Sequence, residues 1–593
     1  MIKKSIVTAI LGCLTAVSFA GMPAGFAECA APETSKLTVN IDKYWREHNI
    51  DGYLKKLNAS EADLAKGRAE MLEIYGENKE ISGKYDESLA AKTMSGIYVG
   101  KNIADKIISW KGIPFAKQPV GDLRWKAPQM PEKSDKVYEA YYFGHSSVQA
   151  EGNDEPSGLY PQGEDCLNLN VWNNKADTTA AKPIMVWIHG GAYIQGGACI
   201  KDYDGTNFVK KHPDVIYVSI DYRTDFLGFI NMNNVPGAEE YKDTANLGLL
   251  DQIQALAWLK ENARAFGGDP ERITIFGESA GGGSVSALMV APQAKGLFKR
   301  GIMQSGVSSA LLRTAEKSMA HTDTIMNISG AKNLDDLKSL TESDIRKIET
   351  IFCYEKLNEY TYPQSDDIVL PVDMKGALDS DRRNGIDILI GTTKDEYNYW
   401  TLILGKDGNM KFMKDAEKSM LASINDEQKA RYKKFKSMQE GDEYNKLLQL
   451  INYRSFHAPS RYEAKTHAAN GQNAYVYYFT EESNDKDILS FHGYELGFVF
   501  GNVEEDKAKD IPAAYKLSEI MQQAWVNFAK TGDPSLKYGE VDGVGAIKWE
   551  KYDLVNYPVM IFDTKGTKLV KDPIKEGSDL LKDFFWLGVK EGL

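Results

Sequence analysis

The sequence predicts an α/β fold: a large, mostly parallel central sheet covered by helices and interrupted by helical insertions. Three observations carry that expectation. The runs 184–188, 215–220 and 273–276 are apolar almost throughout, as strands buried on both faces must be. Between the last two, Leu250, Ile253, Leu256, Ala257 and Leu259 fall on one stripe of a helix over 249–264, and strand, helix, strand is the grammar of an open parallel sheet. The 593 residues are 42% hydrophobic and 11% aromatic, enough to build a large core and too apolar for a disordered chain.

The elements follow in order. Lys3 and Lys4 precede an apolar stretch from Ser5 to Phe19, and small residues then offer cleavage after Ala20 or Ala27. This is the pattern of a signal peptide, too short and mixed for a membrane span. Ile10-Leu11-Gly12-Cys13 also admits a lipoprotein reading, on a very short apolar run. The expectation is a signal peptide over 1–27 and an exported, soluble chain (secreted or periplasmic) without stable membrane insertion. Residues 28–92 read as a charge-rich helical extension of unassigned role, with Ser60 as a helix N-cap and Ser82-Gly83 as the closing turn. One large α/β domain is expected over 93–593. Within it, 311–385 and 405–470 read as amphipathic helical insertions, and strands resume at 386–390 and 474–479.

Composition excludes some functions. With 71 Lys+Arg against 84 Asp+Glu the net charge is −13 and no basic stretch stands out, so a nucleic-acid partner is disfavoured. Beyond residue 27 the cysteines are Cys29, Cys166, Cys199 and Cys353. None has the spacing of a metal ligand, so no metal is expected. One or two disulfides are compatible with them.

The chemistry lies at the strand exits. Gly277-Glu278-Ser279-Ala280-Gly281 follows the run ending at Phe276 and opens a helix of small residues. Such a tight strand-to-helix turn presents a serine in a strained conformation, and glycines let the flanking chains approach. A Gly-rich turn of a nucleotide-binding sheet would look similar. His189-Gly190-Gly191-Ala192-Tyr193 leaves the run 184–188. It reads either as an ordinary exit turn or as a set of backbone N–H groups able to hold an oxyanion. A nucleophilic serine needs a base, and the base an acid. His492, in Phe491-His492-Gly493-Tyr494-Glu495, and Glu396, in Lys394-Asp395-Glu396, follow in the order Ser, acid, His. Spacing alone leaves Asp395 as a competing acid.

Longer motifs sharpen this. The segments 164–172 (EDCLNLNVW), 189–193, 266–270 (FGGDP) and 276–281 resemble the type-B carboxylesterases. Gly112-Ile113-Pro114-Phe115-Ala116, 119–124 (PVGDLR), 525–529 (WVNFA) and 531–534 (TGDP) extend the resemblance over about 93–575. That group includes bacterial aryl and nitrobenzyl esterases, animal carboxylesterases, fungal lipases and cholinesterases. The resemblance implies an α/β-hydrolase fold and a serine carboxylic-ester hydrolase working through an acyl-enzyme, without cofactor or metal, on a small-molecule ester. It implies Ser279 as nucleophile, Glu396 (rather than Asp395) as triad acid and His492 as base. The backbone of Gly191, Ala192 and Ala280 would form the oxyanion hole, and Glu278 would be a buried supporting charge. Two other outcomes suit the same fold: a catalytically inactive adhesion protein, and an amide-directed hydrolase. Intact Ser279, Glu396 and His492 argue against the first; nothing specifies the second.

Three departures carry expectations. Tyr397 stands where the group commonly has glycine, so the acid loop is expected to sit differently. No cysteine lies near Ser146-Ser147 to pair with Cys166. The segment 148–165 has no Trp, its one aromatic being Tyr160, so quaternary ammonium esters are expected to gain no cation–π advantage.

Overall fold

In the computed structural model the described residues are 36–47, 76–150, 161–175, 181–354, 361–380 and 385–586. Residues 1–27, read above as a signal peptide, and Cys29, Ser60 and Tyr160 lie outside them. The strands in chain order are β1 (Ala90–Thr93), β2 (Gly96–Val99), β3 (Lys101–Ala104), β4 (Ile107–Pro114), β5 (Val137–Glu139), β6 (Asn168–Asn174), β7 (Lys182–Ile188), β8 (Ile216–Ile220), β9 (Gly268–Glu278), β10 (Arg300–Gln304), β11 (Asp387–Thr393), β12 (Ala474–Phe479), β13 (Pro558–Phe562) and β14 (Lys568–Lys571).

Eleven of them form one sheet in the order β14-β13-β12-β11-β10-β9-β7-β8-β6-β4-β3. The run from β8 to β13 is parallel. Antiparallel strands close both sides, β6-β4-β3 at one and β14 at the other. Strands β7, β8 and β12 are buried at every residue, which is why their sequences do not alternate. The helix expected over 249–264 is Leu247–Asn262, continued by a 3₁₀ turn at Ala263–Phe266. Two apolar clusters cover the two faces of the sheet. Val186, Val218, Ile275 and Ile390 belong to one, and Trp187, Tyr217, Phe276 and Leu389 to the other, because successive side chains of a strand point to opposite faces.

The insertions are helical as read. Helices Ala315–Ser329, Glu342–Tyr354, Asp426–Met438, Glu443–Asn452 and Ala458–Ala469 carry most of them. Helix Tyr399–Ser423 breaks at Gly405, where φ is 67° and ψ 163°.

The extension departs from expectation in part. Lys36–Glu47 is a helix. It buries Leu37 and Ile41 against an insertion, and its polar groups add contacts from Thr38 Oγ1 to Asp344 Oδ2 (3.1 Å), Asn40 Nδ2 to Ser329 O (3.2 Å) and Lys347 Nζ to Asp42 Oδ1 (2.6 Å). Residues 76–86, by contrast, are extended rather than helical. Ile81 N–H donates to Val137 O and Glu139 N–H to Lys79 O, so the segment borrows its backbone partners from β5 instead of from itself. Among the described cysteines, Cys166 is a buried free thiol. Cys166 has no cysteine beside it to pair with, in line with the serines at 146 and 147.

Candidate active site

Ser279 stands at the carboxyl end of β9, where it caps helix Ala280–Val290 with φ 54° and ψ −121°. A non-glycine residue holds such a conformation only when its surroundings impose it. Here they do. A Cβ on Gly281 would lie 2.0 Å from Ile188 O, and one on Gly306 would lie 1.8 Å from Ser279 O. Ser279 N–H donates to Gln304 O and Ser279 O accepts from Gly283 N–H, both at 2.9 Å. These bonds pin the backbone while the side chain stays half-exposed.

The turn after β7 presses on the same point. Gly191, Ala192 and Tyr193 take φ of 101°, 53° and 64° in succession. Gly191 O accepts from both Ile194 and Gln195 N–H at 3.0 Å. A Cβ at Gly190 would be 3.2 Å from that of Ser279, so the two turns touch. Among the described residues, the N–H groups of Gly191, Ala192 and Ala280 donate to no acceptor. Fixed, unused donors beside a serine are what a developing oxyanion requires.

His492 arrives on the loop after β12. Its Nδ1 is 2.6 Å from Glu396 Oε2, and its own N–H donates to Glu396 O at 3.2 Å. Glu396 is fully buried, and Thr393 N–H donates to its other oxygen at 2.9 Å. Asp395 faces elsewhere. Its carboxylate receives Ser490 N–H at 3.4 Å and lies 3.9 Å from Lys394 Nζ, and burial pushes its pKa up to about 6. The structure thus brings Glu396 to the imidazole. Tyr397 turns into the helical insertion, where its ring is buried and stacks on Trp400 and its N–H donates to Asn452 Oδ1 at 2.7 Å.

The imidazole sits among carboxylates. His492 Nε2 is 3.1 Å from Glu278 Oε1 but makes no hydrogen bond, and Ser279 Oγ makes none among the described residues. Burial acts to lower the His492 pKa, but Glu278, the Glu396 hydrogen bond and charge, and Glu495 outweigh it and raise it to about 9. Glu495 is itself buried, which pushes it up to about 7. It accepts from Gln304 Nε2 at 3.2 Å, and Gln304 Oε1 accepts from Trp525 Nε1 at 3.0 Å.

Several residues here escaped sequence reasoning. Glu495 lies three positions after His492, so proximity could have flagged it. Trp400 and Phe456 have half-exposed rings whose centroids lie 5.3 and 4.9 Å from that of His492. The aromatic run after Glu396 hinted at the first; nothing local marks the second.

The sheet, the strained serine at the end of β9 and the histidine–carboxylate pair define an α/β-hydrolase. The chain belongs to the carboxylesterase family: the sequence model of the Carboxylesterase family matches residues 89–579. The para-nitrobenzyl esterase of Bacillus subtilis is 35% identical over 79% of this chain and 93% of its own length. Carboxylesterase 1D of Rattus norvegicus is 32% identical over 78% and 87%. Among solved structures, carboxylesterase EST55 of Geobacillus stearothermophilus superposes with a TM-score of 0.72 at 34% identity, covering 83% of this chain and 100% of that one. The protein is a carboxylic ester hydrolase, and its substrate is a small-molecule ester. No helix among the described residues is long and apolar enough to cross a membrane.

Proposed function

We propose that Ser279, His492 and Glu396 are the triad of this esterase, and that the chain acts outside the cytoplasm. Ser279 Oγ attacks the ester carbonyl while His492 Nε2 takes its proton. Glu396, on Nδ1, holds the ring and balances the imidazolium. The N–H groups of Gly191, Ala192 and Ala280 stabilise the oxyanion. His492 returns the proton to the leaving alkoxide, and water then frees the acid from Ser279 by the same steps in reverse order of proton transfer. The observation that carries this reading is the convergence of three separate chain segments on one point: a strained serine, unused amide donors and a carboxylate-bound histidine.

His492 Nε2 faces Glu278 here and Ser279 Oγ makes no hydrogen bond among the described residues. Attack therefore needs the hydroxyl and Nε2 brought into reach as the ester enters, as catalytic contacts often tighten only once substrate binds. A fluorophosphonate reports the assembly directly, because it reacts only with an activated serine facing an oxyanion hole. One adduct per chain is expected, on Ser279, absent in His492→Ala. A folded protein that stays unlabelled at pH 9 would turn the reading toward a non-catalytic binding protein. Export rests on the basic and apolar pattern of residues 1–27; fractionation followed by N-terminal sequencing tests it, with cleavage after Ala20 or Ala27 expected.

A further inference from the structure

Two stretches of the insertions converge on His492. In the first, Tyr397 stacks on Trp400 with centroids 4.9 Å apart and rings within 12° of parallel. Trp400 in turn lies against the imidazole. In the second, a π-helical turn over Tyr453–His457 interrupts the helices on either side. Pro459 follows it and has no N–H to offer the carbonyl four residues back, which favours the wider turn. His457 Nδ1 is held 2.9 Å from Thr392 Oγ1 on β11, and Phe456 is thereby aimed at His492. The stretches are tied together: Asn452, directly before the π turn, accepts the Tyr397 N–H, and Trp400 meets Phe456 at 6.0 Å.

We infer that Trp400 and Phe456 form the wall that selects the leaving group, with Tyr397 as the positioning residue that fixes the Trp400 plane. The inference rests on the triad reading above. When the tetrahedral intermediate collapses, the bond from the carbonyl carbon to the alkoxy oxygen breaks, the acyl group stays on Ser279 Oγ, and the proton leaves His492 Nε2 for that oxygen. The first atoms of the alcohol must therefore lie beside the imidazole, and the half-exposed rings nearest to it are Trp400 and Phe456, with Tyr399 farther off at 6.5 Å. A wall made of two ring faces favours a flat group over a puckered one of equal size.

Benzyl acetate and cyclohexylmethyl acetate share an acyl group and are both esters of primary alcohols, so their kcat/KM ratio isolates that wall; ethyl acetate against ethyl butyrate reports the acyl side. The wild type should favour the benzyl ester by about fivefold or more. Trp400→Leu and Phe456→Leu should each lower that preference by about threefold, leaving the acetate-to-butyrate ratio nearly unmoved. Tyr397→Ala should lower it in the same sense and Tyr397→Phe should restore it, since stacking needs the ring and not the hydroxyl. Trp400→Tyr, a milder change, gives an intermediate ratio and serves if the leucine variant does not fold.

Fluorophosphonate labelling of Ser279 accompanies every variant. Variants that label normally with an unchanged benzyl preference overturn the wall alone, and so does a change confined to the acyl ratio. Failure of the wild type to label overturns the triad reading, and the wall with it.

Discussion

A methyl group added at Gly306 would come within 1.8 Å of the Ser279 carbonyl oxygen, whereas one added at Gly405 would meet nothing within 4 Å. The two glycines lie in different kinds of structure. Gly306 belongs to the strand exits, where the backbone is packed against backbone and the serine conformation has no freedom. Gly405, with φ 67°, breaks a helix of the insertion at a point open to solvent. At the strand exits geometry is imposed by exclusion. In the insertions it is imposed by aromatic rings leaning on one another, an arrangement that can be rebuilt with other side chains. The chemistry is held by the first region and the surroundings of the substrate by the second.

The largest effect should come from Ser279→Ala, which removes the attacking atom and should cost about 10⁴–10⁶ in kcat while circular dichroism and melting stay those of the wild type. A variant keeping a tenth of the activity would detach the chemistry from the strand exits altogether.

Next comes the acid. Glu396→Gln should lower kcat by about 10³–10⁴, because an amide can hold the ring without balancing its charge. Asp395→Asn should cost less than about tenfold, since Asp395 answers to Ser490 and Lys394. The reverse ranking would assign the acid to the wrong carboxylate.

The glycine pair tests the comparison itself. Gly306→Ala should destabilise by about 3 kcal/mol or more through backbone overlap. Gly405→Ala should cost only backbone strain at φ 67° and ψ 163°, about 1–3 kcal/mol. Urea midpoints at constant slope give both values, and equal losses would remove the distinction between the two regions.

The smallest and most specific effect concerns pH. Neutral imidazole is needed to accept the serine proton, so kcat/KM should climb with pH toward about 9, the value to which the surrounding carboxylates raise His492. Glu278→Gln removes the strongest of those raising charges and should move the rising limb toward neutral pH. A profile unmoved by that change would show that Glu278 is proton-bound or too distant in solution.

What could be read in the sequence follows the same division. Gly277, Gly281 and the Gly190-Gly191 pair are legible because absence of a side chain is a local requirement with a local signature, and β7, β8 and β12 because burial on both faces leaves an unbroken apolar run. Choosing Glu396 over Asp395 needed the family pattern, since the two differ only in which way a 3₁₀ turn points them. Phe456 was illegible: its place is set by a π turn, by Pro459 and by a hydrogen bond from His457 to a strand more than sixty residues earlier in the chain. The extension over 76–86 was misread because charge-rich composition suits a helix equally well, and only the distant β5 supplies the partners that make it extended.

The docking of helix Lys36–Glu47 has a consequence for the newborn chain. Thr38 and its partner Asp344 are 306 residues apart in sequence. At roughly 5–20 residues per second, the ribosome delivers that partner about 15–60 s after the helix itself. Throughout that interval Leu37 and Ile41 have no insertion to cover them, so this helix is made long before the surface it packs against.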